Sequence, residues 1–232
     1  MLVGWQVTVN FIPLKSNPGL FTQLIHQLGS LDDPDLLSLV PRPVLAFIIV
    51  FPTSSDYEDR LSKENKERVD GVLPNEDKDI IWFKQTINNA CGLYAILHAI
   101  ANGRARDFIV PGSHLSDLLE KCASLDPADC AAVLENDAEL ETKYTSVAVL
   151  GDTEAPENPE DEVDFHYVCF VKSHRNGNLF ILDGDHSGPV DKGLLSENDL
   201  LSKQGIEAIQ QFISQHDNGG GFSLLALAPS AD

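Results

Sequence analysis

Two periods run through the hydrophobic positions of this chain. Leu20, Phe21, Leu24, Ile25 and Leu28 recur at spacings of three and four, after Asn17-Pro18 and before Gly29. An N-cap asparagine, a proline in the first turn and a terminal glycine predict an amphipathic helix there. Residues 1–12 alternate instead, Trp5, Val7, Val9 and Phe11 against Gln6, Thr8 and Asn10, which predicts a strand. Val44–Phe51 is apolar without interruption, the pattern of a central strand buried on both faces. Ser54–Asp79 is charged and broken by Gly and Pro, a surface helix and loop with a solvated face. Ile80–Phe83 reads as a short strand with Trp82 and Phe83 in the core. Leu93, Ile96, Leu97 and Ile100 then mark a helix.

The second half continues the alternation of element types. Ser113, Asp126-Pro127 and Asn136 each precede a helical run: Leu115–Ala123, Ala128–Leu134 and Asp137–Tyr144. Val168–Val171 and Leu179–Leu182 are strands around Asn176-Gly177, a type I′ hairpin signal. Residues from Gly184 to Asn198 read as loop, Asp199–His216 as the last helix ended by Gly219–Gly221, and Phe222–Ala228 as a closing strand. His98 and His114 read as structural or surface histidines. The elements predict an α/β protein, a central mainly antiparallel sheet flanked by helices. With 232 residues and 43% hydrophobic content, one domain over 1–232 is expected.

Charge and cysteine usage narrow the classes. A net charge of −20 argues against nucleic acid and anionic membranes and favours a basic partner. No apolar run reaches membrane-spanning length, and the N-terminal MLVGWQVTV lacks the pattern of a signal peptide. Cys91, Cys122, Cys130 and Cys169 show neither CxxC pairing nor zinc spacing. The expectation is a reduced, cytoplasmic protein without structural metal or cofactor.

Candidate chemistry concentrates in two stretches. In Lys84–Asn102, KQTINNACGLYAILHAIAN, a polar approach runs through Ala90-Cys91-Gly92 into a helix. Cys91 thus stands at a helix N-terminus, where free N–H groups and the dipole favour an anion, here a nucleophilic thiolate. Gln85, on the approach, is placed to aim an amide N–H at an oxyanion beside the sulfur. A buried structural cysteine is the competing reading. In Asp164–Asp185, DFHYVCFVKSHRNGNLFILDGD, the hairpin brings His166 near Asp183. An imidazole oriented by a carboxylate would complete a nucleophile–base–orienter set. A surface cross-strand ion pair is the alternative.

These stretches resemble the ubiquitin C-terminal hydrolase family, small papain-like cysteine deubiquitinases. The resemblance rests on Gln85, Cys91, His166 and Asp183 in order and spacing, and on NNACGLYAILHAIAN, DTEAP followed by VDFHY, and LVPRPVLAFIIVFP. It implies Cys91 as nucleophile, His166 as general base and acid, Asp183 as orienter and Gln85 as oxyanion donor. It implies a papain-like architecture with a knotted backbone, and ubiquitin contacts at Pro13, Leu14, Asn17, Asp152, Glu154 and Phe222. Residues 151–164, acidic and proline-bearing, correspond to the crossover loop that arches over the family's active site. The chain departs from the family at Lys15, where an acidic residue is usual, and at Gly221, where a longer polar side chain is usual. The connection before Asp33 is reduced to Ser30–Asp32. That leaves open a missing sheet strand, one rebuilt by residues 1–12, or a variant transcript.

By this resemblance the chain is expected to be a monomeric thiol hydrolase cleaving small or unfolded adducts from the C-terminal glycine of ubiquitin. A protease for a ubiquitin-like modifier and a silent ubiquitin-binding module are the alternatives.

Overall fold

The structure, a computed structural model, describes residues 22–26, 31, 34–38, 40–67, 79–148, 165–216 and 221–229. Strands β1 (Thr22–His26), β2 (Ala46–Pro52), β3 (Phe165–Lys172), β4 (Asn178–Leu182), β5 (Val190–Leu194) and β6 (Ser223–Ala228) form one sheet. Its order is β1-β6-β2-β3-β4-β5, antiparallel at every pairing. The helices are α1 (Pro34–Ser38), α2 (Ser55–Glu67), α3 (Cys91–Ala101), α4 (His114–Cys122), α5 (Pro127–Glu135), α6 (Ala138–Ala148) and α7 (Lys203–His216). This is the expected α/β class. No helix among the described residues is long and apolar enough to cross a membrane.

The strand period of two sorts the core into layers. Phe47, Ile49 and Phe51 of β2, with Val168 and Phe170 of β3, point to one side and meet Tyr57 of α2 and Ile209 and Phe212 of α7. Ala46, Ile48 and Val50 point to the other side, with Cys169 and Val171, and meet Ala95 and Ala99 of α3. Both faces of β2 are therefore covered, which is why its sequence is apolar without alternation. Helix α3 is sandwiched in turn: Leu93, Tyr94 and Leu97 face a third cluster shared with Leu118 and Leu119 of α4 and Leu134 of α5. A helix covered on opposite sides must be apolar nearly all round, and α3 is.

Several elements differ from the sequence expectation. The helix predicted around Leu20–Leu28 is, where it is described, the strand β1, paired with β6 from Thr22↔Ala228 to His26↔Leu224. The ladder offered by β6 outweighs a helical spacing that local propensity only weakly supports, and Thr22 and Ile25 are β-branched. The predicted strand at 1–12 lies outside the described residues.

Ile80–Phe83 is extended but joins no ladder, because side chains take its hydrogen bonds. Ile81 N–H donates to Asn102 Oδ1 at 2.7 Å, Asn102 Nδ2 donates back to the Ile81 carbonyl at 2.8 Å, and Phe83 N–H donates to His98 Nε2 at 3.0 Å. The predicted loop from Gly184 contains β5, an edge strand whose exposed Asp191, Lys192 and Leu194 gave no alternating signal.

Turn and cap details also shift. The β3–β4 loop spans residues 174–177, closed by Ser173 N–H on the Asn178 carbonyl. Only Gly177 there takes a positive φ, +75°, so the turn is not type I′. Ser173 Oγ instead gathers the Arg175 and Asn176 N–H groups. Ser113 and Asp126 cap α4 and α5 as expected. The cap of α6 is Asp137, one residue past Asn136, whose side chain bonds back to Ala132 of α5. Asp199 precedes α7 rather than starting it, and its carboxylate accepts from Val44 N–H and Arg42.

His98 makes a pH prediction. It is buried and stacked on Phe83, and burial, opposed by weaker interactions, pushes its pKa down to about 4. Its Nε2 is an acceptor and carries no proton in this bond. The unfolded chain takes up that proton below pH 6.5 while the folded chain does not. Stability should thus be present above 6.5 and fall towards pH 4, with His98 contributing about 3 kcal/mol. Glutamine can accept the same N–H without titrating, so His98→Gln should give a shallower decline in urea unfolding between these pH values. Equal slopes would contradict the assignment.

Candidate active site

Cys91 is the first residue of α3, and the backbone before it is specialised. Asn89 has φ +55°, the one non-glycine residue with a positive φ among those described. Asn tolerates this region better than most residues, and such strain concentrates at functional turns. The turn places Ala90 at the N-cap, where no side chain caps the helix. Ala90 brings no side-chain acceptor of its own to the first turn of α3, and the positive end of the helix dipole there favours an anion. Gly92 follows, facing the Tyr167 ring with room for a Cβ at 3.7 Å.

The sheet supplies the partners. His166, second residue of β3, lies opposite Phe51 of β2. Cys169 pairs with Leu182 of β4, so Asp183, just past the end of β4, lies back along the hairpin near His166. His166 Nε2 and Asp183 Oδ1 are 2.8 Å apart and both residues are buried. The other ring nitrogen, Nδ1, faces Asp185 Oδ2 at 3.7 Å, and the Cys91 thiol is close enough to the same imidazole to help raise its pKa. Cys91 Sγ also lies 3.9 Å from the Phe165 carbonyl oxygen.

The electrostatics agree with this wiring. Burial opposes charge on His166, but the Asp183 carboxylate, its hydrogen bond, Cys91 and Asp185 override it and hold the imidazole well above its ordinary pKa. Burial likewise pushes Asp183 up, yet His166 and the hydrogen bonds from His166, Tyr57 and the Asp185 N–H bring it down to about 2. Histidine is therefore cationic and aspartate anionic near neutral pH, the arrangement of an oriented acid–base group. Donor atoms of His166, Asp183 and Asp185 lie within 4.8 Å of one another. The direct 2.8 Å bond between two of them leaves no space for an ion at ordinary metal–ligand distances between those atoms.

Gln85 reaches the site from the extended segment before α3. Its N–H donates to the Gly184 carbonyl at 2.8 Å, and Trp82 Nε1 donates to the Asp183 carbonyl at 2.8 Å. The approach segment is thereby stitched to the loop that carries the aspartate. Gln85 Oε1 is buried and has no hydrogen-bond partner among the described residues. The unpartnered atom is the acceptor; an oxyanion would take the other amide atom, the Nε2 donor.

Of the other expected site residues, Phe222 is half-buried, stacked on Phe51 at 5.9 Å, and Phe51 in turn meets His166 edge-on. Pro13, Leu14, Asn17, Asp152, Glu154 and the whole of 151–164 lie outside the described residues. Burial pushes the Cys169 thiol up, and Cys122 and Cys130 are buried together in the helical layer. None of these competes with Cys91 for the imidazole.

Sequence reading missed Tyr57, Gly184 and Asp185. Tyr57 OH donates to Asp183 Oδ2 at 2.7 Å. A signal was present: Tyr57 and Leu61 stand four apart on an otherwise charged helix, an apolar stripe in a segment read as solvated. Gly184 and Asp185 carried no pattern beyond following Asp183.

Comparison with known proteins bears on this geometry. Residues 11–214 match the family model described as ubiquitin carboxyl-terminal hydrolase, family 1. A ubiquitin carboxyl-terminal hydrolase of Drosophila melanogaster is 33% identical over 230 residues, covering 94% of this chain and 97% of that protein. Another, of Aplysia californica, is 34% identical over 219 residues, covering 88% and 95%. Among solved structures, the Trichinella spiralis UCH37 catalytic domain bound to ubiquitin vinyl methyl ester aligns with TM-score 0.62 at 22% identity, over 90% of this chain and 85% of that one.

The charge on His166 should depend on Asp183. In Asp183→Asn the carboxylate is gone while burial still opposes charge, so the imidazolium is lost at a lower pH. Alkylation of Cys91 by iodoacetamide at about pH 6 should then slow about tenfold or more, because the cation that favours the thiolate is absent. An unchanged rate would return the pair to a purely structural role.

Proposed function

Because this chain belongs to the ubiquitin carboxyl-terminal hydrolase family, we propose that its Cys91, His166, Asp183 and Gln85 form a thiol hydrolase site acting on the C-terminal glycine of ubiquitin. The observation that carries this is the convergence of an uncapped helix N-terminus at Cys91 with a buried His166–Asp183 pair. The Cys91 thiolate attacks the glycine carbonyl and forms a C–S bond. The oxyanion is held by the Cys91 N–H and the Gln85 amide. His166 Nδ1 delivers its proton to the leaving nitrogen or oxygen as that bond breaks. Water then attacks the thioester, His166 takes its proton, and the thiolate is released.

The leaving groups are small or unfolded adducts. Residues 151–164 carry seven acidic residues and two prolines and end next to Phe165, one residue from His166. That tether supports a size limit at the cleft. Hydrolysis of ubiquitin bearing a small dye or short peptide should be fast, and isopeptide-linked diubiquitin should be cut poorly. Efficient diubiquitin cleavage would remove the size limit. The acidic surface suits the arginine-bearing tail of ubiquitin, and steering by it should weaken with salt. The protein acts as a monomer in the cytoplasm, with Pro13, Leu14, Asn17, Asp152, Glu154 and Phe222 on the ubiquitin side.

Ubiquitin with a C-terminal electrophile tests the assignment directly. Peptide mapping should find the adduct on Cys91, and an adduct on Cys122, Cys130 or Cys169 would overturn it. Gly184 provides a sharper probe of Gln85. A Cβ at 184 would lie 2.7 Å from Gln85 Cβ, so Gly184→Ala must displace that side chain. The variant should lose about 10²–10³ in kcat, as for removal of one oxyanion donor, with KM nearly unchanged. Gln85→Ala should lose as much, and the double variant no more than either. Full activity of Gly184→Ala would place the oxyanion donor elsewhere.

A further inference from the structure

We propose that Tyr57 is a positioning residue of this site, fixing the Asp183 carboxylate so that one oxygen is kept for His166; the proposal rests on the hydrolase reading above. The two carboxylate oxygens have different partners. Oδ1 accepts from His166 Nε2 at 2.8 Å and from the Asp185 N–H at 2.9 Å. Oδ2 accepts from Tyr57 OH at 2.7 Å. A carboxylate on a freely turning bond would exchange its oxygens, and the hydroxyl on Oδ2 prevents this. Burial and the neighbouring carboxylate push the Tyr57 phenol well up, so it remains a donor wherever the enzyme works.

The ring holds the hydroxyl in place. Tyr57 is buried, edge-on to Phe51 at 5.1 Å and tilted against the His166 ring at 5.7 Å. It therefore touches both members of the pair. The rest of α2 grips the loop that follows Asp183. Asn65 Nδ2 donates to the Asp185 carbonyl at 2.9 Å, Asn65 Oδ1 accepts from Ser187 N–H at 2.7 Å, and Glu64 pairs with His186 at 3.0 Å. Positions 57, 64 and 65 are separated by seven and eight residues, one face of a helix. Helix α2 is in this way a brace along the segment from Asp183 to Ser187, with Tyr57 at its catalytic end.

Tyr57→Phe removes one oxygen and leaves the ring contacts. The variant should lose about tenfold or more in kcat on ubiquitin carrying a small dye, with KM unchanged, since hydrogen bonds to a charged acceptor are the stronger ones. The distinguishing readout is the His166 Nε2–H proton by NMR. It should broaden through exchange with water in Tyr57→Phe, while amide shifts away from the site stay as in wild type. An unchanged resonance overturns the proposal, whatever happens to melting temperature. Should Tyr57→Phe fail to fold, 3-fluorotyrosine at position 57 keeps the shape with a more acidic hydroxyl. It must move the same resonance, and no movement overturns the proposal as well. Cys91→Ala separates the two levels. If it retains turnover, the hydrolase site itself is wrong. If it is inactive while Tyr57→Phe matches wild type, only the role of Tyr57 fails.

Discussion

A buried charge pair governs this molecule. His166 and Asp183 sit where charge is costly, and each is tolerated because the other is 2.8 Å away. Removing either partner would strand an ion in a low-dielectric interior, which costs far more than an exposed pair ever contributes. The surroundings follow from that constraint. The Tyr57 hydroxyl and the Asp185 N–H saturate the carboxylate. Trp82 and Gln85 tie down the backbone of Asp183 and Gly184. Phe51 and Tyr57 close the apolar wall around the imidazole. The pair contributes orientation and a maintained positive charge beside a thiol, more than net stability.

Helix α3 solves the complementary problem of presenting the thiol. Its N-terminus must stay uncapped and face the sheet, while its body must be held rigidly. Rigidity comes from burial on two sides, against the sheet and against α4 and α5. It also comes from Asn102 and His98, which spend their side chains on the extended segment 80–85. That segment in turn hydrogen-bonds the carbonyls of Asp183 and Gly184. The helix that carries Cys91 and the loop that carries Asp183 are thus linked through one stretch of main chain, so the nucleophile and the orienter are set by a shared frame. Neutral His98 is part of that frame, which couples the geometry of the site to acid pH.

Much of this was legible from residue patterns, and what was not has a physical cause. The apolar run at Val44–Phe51, the helix after Cys91 and the hairpin bringing His166 to Asp183 were readable because burial on both faces, 3.6-residue spacing and a glycine-bearing turn each leave a local trace. β1 was misread because its pairing with β6 is a long-range event that local spacing cannot report. Ile80–Phe83 was misread as a ladder strand because side-chain amide and imidazole acceptors satisfy its backbone. β5 escaped because an exposed edge strand carries no alternation. Tyr57 escaped because one aromatic residue on a charged helix gives no sign of which loop it will meet 126 positions later.

The site depends on a buried Asp183 holding His166 in its charged form. A ¹⁵N NMR titration of the His166 ring in the wild-type protein tests it most directly. The imidazole should remain protonated well above the ordinary histidine value of about 6.5, losing its proton only on the alkaline side. A ring that deprotonates at or below the ordinary value would show that desolvation wins over the carboxylate, and the pair described here would not be the engine of the site.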